Sequence, residues 1–427
     1  MGFYHGLSGL NAASKNLDVI GNNIANSNTV GFKQSRAEFN EMVASAMGAS
    51  SSTNTGIGVS VAAVSQQFTQ GVTTPSANGL DMAINGDGFF VVQTGTGTAY
   101  TRNGAFQLNK AGELVTVNGD KVQGYTVDPT TGLRTSVALS NLVFPAGTPI
   151  PAKQTSTVTA TLNLDARVDQ NAVPAPARST YGTSLEVFDE QGMATPLSMY
   201  FQKSGANTWT VYDSLDPNAM PIGQMVFSST GKLQTVAAYS GATDPGGLNP
   251  GDPGYVPQFA APTGTTLTTT VTTTNPNNPG PWPVDIDLGK VTQMGSAFSV
   301  AKLTQDGYAT GELTAVNVAS DGTLMATYSN GVTRAEAQLA LAKFTNSQGL
   351  QPDGNNNWVA SNDSGPPVYG SAGSGSFGVI QGNALEESTV DLTAQLVGMM
   401  TAQRAYQANA QTIKTQDQIF STLVNLR

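Results

Sequence analysis

Few side chains in this sequence could carry out catalysis. His5 is the single histidine and there is no cysteine, which excludes disulfides, thiolate catalysis and Cys-ligated zinc or iron–sulfur centres. One histidine cannot build a histidine-rich metal cluster, and a Ser-His-Asp site would have to run through His5, inside the first helical segment. His5 therefore reads as a helix-surface or interface residue. Gly86-Asp87-Gly88 opens like a dinucleotide loop, but Val91 stands where the third glycine belongs and strand-like residues follow in place of a helix. Asp81, Asn85 and Gly86 have the spacing of a calcium loop, yet Ala83 falls at a ligand position and Val92 replaces the bidentate glutamate. Both segments read as hairpin turns. Glu386-Glu387 reads as acidic bias ahead of a helix, and Asp285 with Asp287 as a solvated strand face. The residues call for no cofactor, no metal and no catalytic site, so the expectation is a chain that is not an enzyme.

Composition agrees. Of 427 residues only 11% are charged, the net charge is −10, and glycine (47) and proline (22) are plentiful. That is the make-up of a turn-rich β protein, long enough for two to four domains with real cores. No Lys/Arg cluster with aromatic interleaving marks a nucleic-acid surface. No apolar run reaches the roughly 18 residues of a membrane span. The opening MGFYHGLSGL lacks a charged region followed by a long apolar one, so it does not read as a cleavable secretory signal. Gly6 stands where a myristoylation motif needs Ser or Thr.

The elements that must position any function lie at the two ends. Phe3, Leu10, Leu17 and Ile24 recur every seven residues, with Gly6, Ala13 and Ile20 at the three-residue offset. Leu392, Met399, Tyr406, Ile413 and Phe420 keep the same period at the far end, with Leu396, Ala410 and Val424 four residues after members of that row. A seven-residue apolar repeat keeps one seam of a helix facing a partner. Isolated helices of this length are marginal in water, so the ends are expected to order on assembly. The predicted fold is mixed but mainly β: paired, coiled-coil-like terminal helices with two nested β-rich domains, the outer one an insertion.

The boundaries follow composition. Residues 1–27 are expected to form the N-terminal helix, ending in an asparagine-rich stretch, and 28–70 a connector with a little helix around Arg36 to Met47. Residues 71–147 and 289–387 are expected as the two parts of a middle β domain, with Asn85-Gly86, Asn103-Gly104 and Asn118-Gly119 suited to type I′ turns and Asp321-Gly322 and Asn330-Gly331 punctuating a meander in the second part. Residues 148–288 form the inserted domain, bounded by Pro145–Pro151 and Pro279–Pro283 and containing a loop-rich stretch from Gly241 to Pro283 with one strand in its Thr/Val tract. Residues 388–427 complete the pattern as the C-terminal helix.

Leu7-Ser8-Gly9-Leu10, Asn22-Asn23-Ile24-Ala25-Asn26 and Thr29-Val30-Gly31-Phe32-Lys33 resemble the N-terminal motifs of the flagellar rod and hook family. Leu385 to Leu392 and Gln403-Arg404-Ala405-Tyr406-Gln407-Ala408-Asn409-Ala410 resemble its C-terminal motifs, with Thr389 where asparagine is expected. Asn85-Gly86-Asp87-Gly88-Phe89-Phe90 and Tyr100-Thr101-Arg102-Asn103-Gly104-Ala105-Phe106 resemble its first β-domain motif. Rod subunits of that family are much shorter, so the length points to a hook subunit.

The resemblance implies a layered building block that polymerises with itself into a short curved tube, a universal joint carrying torque from rod to filament. Terminal helices would form the inner tube around a central channel, with assembly contacts from Phe3, Leu10, Leu17, Ile24, Leu392, Leu396, Met399, Tyr406, Ile413 and Phe420. Partners implied are further copies of the chain, the distal rod protein, the hook cap, the hook–filament junction proteins and the flagellar export apparatus. Nucleic acid and membrane insertion are not implied. The implied location is extracellular, in the hook of the flagellar basal body, reached without a cleavable signal. Gln395, Gln403, Gln407, Gln411, Gln416 and Gln418 would suit a wet, weakly charged channel lining, or an ordinary exposed helix face. A straight distal rod and a secreted β-rich adhesin are the alternatives.

Overall fold

The structure, a computed structural model, describes residues 2–43, 56–129, 131–145, 147–169, 177–216, 218–241, 247–248, 255–262, 264–272, 276–277 and 280–425. Side chains of Ile57 and of residues 423–425, Val424 among them, lie outside the description. Two compact units are formed, one from Met1–Gly147, Leu313–Tyr328 and Thr333–Arg427, the other from Thr148–Glu312 and Ser329–Val332.

In the first unit, α1 (Gly2–Ala25) opens the chain and α2 (Leu392–Asn425) closes it. Asp391 starts α2: its Oδ1 accepts from the Thr393 and Ala394 amides at 2.8 and 3.1 Å, satisfying two of the amides that have no partner inside the helix. After α1 the chain turns through Asn26 to Thr29 and passes Gly31 in the left-handed region at φ 71°. It then forms β1 (Ser35–Val43), paired antiparallel with β2 (Gly56–Gln66). The helix expected around Arg36 to Met47 is therefore a strand as far as Val43, because pairing with β2 satisfies the backbone that local propensity would have coiled; residues 44–47 lie outside the description.

The β body of this unit is built on a 13-stranded sheet in which Lys121–Thr126 lies between Phe89–Gln93 and Thr333–Leu339. Its core holds Met82, Ile84, Phe90, Phe106, Leu114, Leu324 and Leu339. A second cluster sets Phe89, Tyr100, Phe344 and Trp358 edge to face. Asn118-Gly119, Asp321-Gly322 and Asn330-Gly331 join paired strands, as the turn dipeptides predict. Asn85-Gly86 and Asn103-Gly104 do not. Met82–Asn85 pairs with Val379–Gly382, and Thr98–Thr101 with Phe89–Gln93, so each dipeptide carries the chain to a different partner. A turn sequence fixes the local bend, and distant pairing decides which strands meet.

The second unit contains two five-stranded sheets. One is a meander of Gly182–Phe188, Ala194–Gly205, Thr208–Tyr212, Gly223–Phe227 and Leu233–Ala238. The other is centred on Thr157–Asp165, which pairs parallel with Trp282–Asp287 and Thr292–Met294 and antiparallel with Ser299–Gln305. Inward residues of both, among them Phe201, Trp209, Phe227, Leu162, Val284 and Trp282, share one core. The Thr/Val tract supplies the strand Thr266–Val271. The unit continues past the Pro/Gly boundary at 279–283 because the strands after it pair back onto Thr157–Asp165.

Candidate assembly site

Small residues bring the two end helices together. A Cβ placed on Gly6 would lie 2.8 Å from Ile413 Cγ1, and one on Gly9 2.8 Å from Asn409 Nδ2. Further along, Gly398 approaches Ile20, and Asn23 Nδ2 donates to Gln395 Oε1 at 3.3 Å. As numbers rise on α1 they fall on α2, so the pair is antiparallel. Buried on α1 are Gly6, Ala13 and Ile20, again spaced by seven, with Ala12, Val19 and Asn23 beside them. Facing that row on α2 come Gln395, Ala402, Asn409 and Ile413, a mostly polar or small set.

The bulkier predicted rows flank this seam. Ile413 reaches it, and Leu10, Leu17, Ile24 and Met399 are half-buried. Phe3 (45% exposed), Leu392, Leu396 (51%), Tyr406 and Phe420 (59%) face outward. Backbone approach at glycine and alanine pushes larger side chains to the flanks, where they remain uncovered within one chain. Tyr4, Leu7, Val397, Met400 and Ile419 are exposed as well. At about 100° per residue, Gln403, Gln407, Gln411 and Gln418 share a stripe roughly opposite the seam. They are exposed, whereas Gln395 and Gln416 are half-buried and Gln395 is bonded to Asn23.

The β1–β2 hairpin lies along α1. Asn23 exchanges both hydrogen bonds with the Ser35 backbone at 2.8 and 2.9 Å. His5 Nε2 sits 2.6 Å from the Gly56 carbonyl, and the Val59 amide donates to Ser8 Oγ at 3.3 Å. His5 is thus an interface residue within the fold.

Where the helices meet the β body, three charged side chains converge in a dry site. Lys33 Nζ lies 2.6 Å from Glu386 Oε1, and Arg102 Nη1 3.2 Å from Glu386 Oε2. Exposures are 1% for Lys33, 6% for Arg102 and 0% for Glu386. Lys33 also donates to the Thr69 carbonyl at 2.5 Å, and the Gly71 amide donates to Glu386 Oε1 at 2.8 Å. Arg102 donates to the carbonyls of Gly86 (2.8 Å) and Ile84 (3.5 Å). Burial pushes the Lys33 amine below the ordinary lysine value; Glu386 pulls it back and Arg102 opposes. The Gly31 amide donates to the Glu386 carbonyl, and Thr389 N to that of Phe32. Thr389 Oγ1 accepts from the Gln34 amide at 2.9 Å, a bond that the residue expected here, asparagine, could also offer.

Glu386 is therefore a buried ion partner, a correction to its reading as acidic bias ahead of a helix. Sequence reasoning missed this cluster. Its signal was present: lone charges inside apolar, glycine-bearing motifs of a chain with few charges. The other acidic candidates are accounted for locally. Asp87 pairs with Lys343 at 2.8 Å, Asp81 accepts from Ser76 and Asn78, and Asp285 accepts from Thr268 on an exposed strand face. Among the described residues no cluster of acidic or histidine side chains could hold a metal, and no helix is long and apolar enough to cross a membrane.

Four family models match in chain order. They are the flagella basal body rod protein (residues 3–33), the flagellar hook protein FlgE/F/G D1 domain (83–162), the flagellar basal body protein FlaE D2 domain (158–308) and the flagellar basal body rod FlgEFG protein C-terminal (381–426). The flagellar hook protein FlgE of Escherichia coli (strain K12) is 38% identical across 100% of both chains. That of Salmonella typhimurium is also 38% identical over 100% of both, and that of Treponema pallidum 33% over 99% of each. A crystal structure of Helicobacter pylori flagellar hook protein FlgE2 covers 73% of this chain and 100% of its own, at TM-score 0.49 and 15% identity, too loose a likeness to bear on function.

Proposed function

The chain belongs to the flagellar hook protein family, and from that premise we propose how it works as a structural subunit of the hook. The carrying observation is the helix pair. Its internal seam is narrow, built from glycine, alanine, polar side chains and Ile20 with Ile413, while Phe3, Leu392, Leu396, Tyr406 and Phe420 stay exposed and Leu10, Leu17, Ile24 and Met399 only half-buried. A pair of this kind gains its apolar burial from neighbouring copies, at roughly 25 cal/mol per Å² covered. Phe3, Leu10, Leu17, Ile24, Leu392, Leu396, Met399, Tyr406, Ile413 and Phe420 are the assembly residues, with Ile413 closing the seam and the outward members meeting the next subunits. Helices packed this way form the inner tube of a curved polymer that carries torque from rod to filament, and the β units form the layers around it. Low charge suits those layers: neutral polar contacts break and re-form as the joint bends, without ion pairs locking one register.

The finer features rest on the same placement. Gln403, Gln407, Gln411 and Gln418 line the channel, their stripe lying away from the helix partner. Residues 2–25 pack against α2 and form part of the assembly site, which supports an exported subunit that retains them. Its axial neighbours are the distal rod protein, the hook cap and the hook–filament junction proteins.

The test is electron microscopy of the purified chain under polymerising conditions beside a Leu396→Ser, Phe420→Ser variant. Both positions are exposed, so the variant monomer keeps its stability to within about 0.5 kcal/mol per site. Curved tubes from the parent and none from the variant are expected; equal tubes from both would sink the assembly assignment.

A further inference from the structure

We infer that the buried Lys33–Glu386–Arg102 cluster is the joint through which torque passes between the helix pair and the β body of the same unit. This rests on the hook reading and extends it to residues that reading leaves unused.

The argument is one of connectivity. Two stretches join the helices and the β1–β2 pair to the β body, residues 67–72 leaving β2 and residues 384–391 entering α2, and a third, residues 26–34, links α1 to β1. All three meet at Glu386. Thr69 and Gly71 come from the first, Glu386 is itself in the second, and Lys33 comes from the third. Arg102, in the turn after Thr98–Thr101, ties that point to the β body, because its second nitrogen holds the Gly86 carbonyl. A twist applied to the helices reaches this point along each stretch, beside the neutral bonds from Asn356 Nδ2 to the Val30 carbonyl and from Trp358 Nε1 to Gln66 Oε1. It is the one of these places where charges converge on a single carboxylate.

The bonds suit the load. Charge-assisted hydrogen bonds to a carboxylate are short and directional, and the planar guanidinium bridges two segments in fixed geometry. Apolar packing in the same place would fill space and allow sliding. Burial leaves the pairs much less screened by salt, so the joint changes little with ionic strength. The backbone is shaped around it as well. Gly31 sits at φ 71°, and a Cβ there would lie 2.7 Å from the Arg102 carbonyl carbon.

The experiment replaces the charges with apolar side chains of similar size: Lys33→Met, Arg102→Leu and Glu386→Met together. Such replacements commonly preserve or raise stability, since they remove the desolvation penalty along with the pairs. The readouts are the thermal midpoint of the monomer, tube curvature by electron microscopy, and torsional stiffness from bead rotation on hooks built of the variant. The inference expects a variant that still folds and forms tubes, with torsional stiffness at least twofold below the parent. Its midpoint is lowered only by the backbone groups left unpaired at Thr69, Gly71, Ile84 and Gly86. A variant matching the parent in curvature and stiffness overturns it. Should the triple variant not fold, Arg102→Lys keeps the charge and loses the fork, and the same two results decide. A parent chain that forms no tubes overturns the hook reading itself, and the inference with it.

Discussion

Replacing Glu386 by glutamine keeps the shape of the side chain and removes the anion that the two buried cations share. The carboxyl is 0% exposed and Lys33 only 1%, so water cannot compensate. Removing one partner of a buried pair costs about 3–5 kcal/mol. Lys33 has an escape, because it can shed its proton. Deprotonating a lysine of ordinary pKa at neutral pH costs about 1.4 kcal/mol per unit over about 3.5 units, which caps the loss near 5 kcal/mol. Against a typical total of about 5–15 kcal/mol, the variant folds with a much smaller margin.

The sign of the pH dependence follows. In the variant the native state binds fewer protons at Lys33 than the unfolded state does, so stability rises with pH up to the ordinary lysine value of 10.5. The parent shows the same trend in a narrower alkaline window, since Glu386 holds the Lys33 pKa higher. Urea titration read by hydrogen exchange, with peptides from each unit followed separately, measures both quantities. The first unit should lose about 3–5 kcal/mol at about pH 7 and regain about 2–3 by about pH 9. Peptides of the second unit should not change. A loss under about 1 kcal/mol, or one indifferent to pH, would show that the site is wet or that Lys33 stays charged, and the reasoning would fail.

Gly31→Ala adds a Cβ 2.7 Å from the backbone of Arg102 at a φ of 71°. The same exchange measurement should show at least about 2 kcal/mol lost, from left-handed strain plus the clash. In the second unit, burial alone would raise the Asp306 carboxyl. The Thr157 and Ser156 amides, the Ser156 hydroxyl and Lys153 instead bring it down to about 2. Its stabilisation is therefore present above the ordinary carboxylate range and lost as pH falls toward about 2. Asp306→Asn should cost about 1 kcal/mol at neutral pH, allowing for partial exposure, and flatten the acid limb of that unit's unfolding curve. Gln407→Leu with Gln411→Leu should lower secretion of later flagellar subunits, measured in the culture medium; normal export would refute the channel lining.

The sequence by itself determined what kind of protein this is. Absent cysteine and a lone histidine removed most chemistries, turn dipeptides marked the β blocks, and seven-residue rows at both ends announced helices that need company. These signals are local: composition, period and turn conformation survive in any fold the chain adopts. Hairpins were legible at Asn118-Gly119 and Asn330-Gly331, where neighbours in sequence are neighbours in the sheet. They were not legible at Asn85-Gly86, whose flanking strand pairs with Val379–Gly382, nor at β1, whose identity as a strand depends on β2.

Tertiary structure decided which face of each helix is spent inside the chain. The bulky row is the more visible in sequence, yet close backbone approach favours glycine and alanine, so Gly6 and Ala13 took the seam with Ile20, and Phe3, Leu396 and Phe420 stayed exposed on this chain. It also decided the meaning of Lys33, Arg102 and Glu386. A charge announces nothing about burial until the segments around it are closed off from water, and here those segments lie 353 residues apart for Lys33 and Glu386 and 284 apart for Arg102 and Glu386.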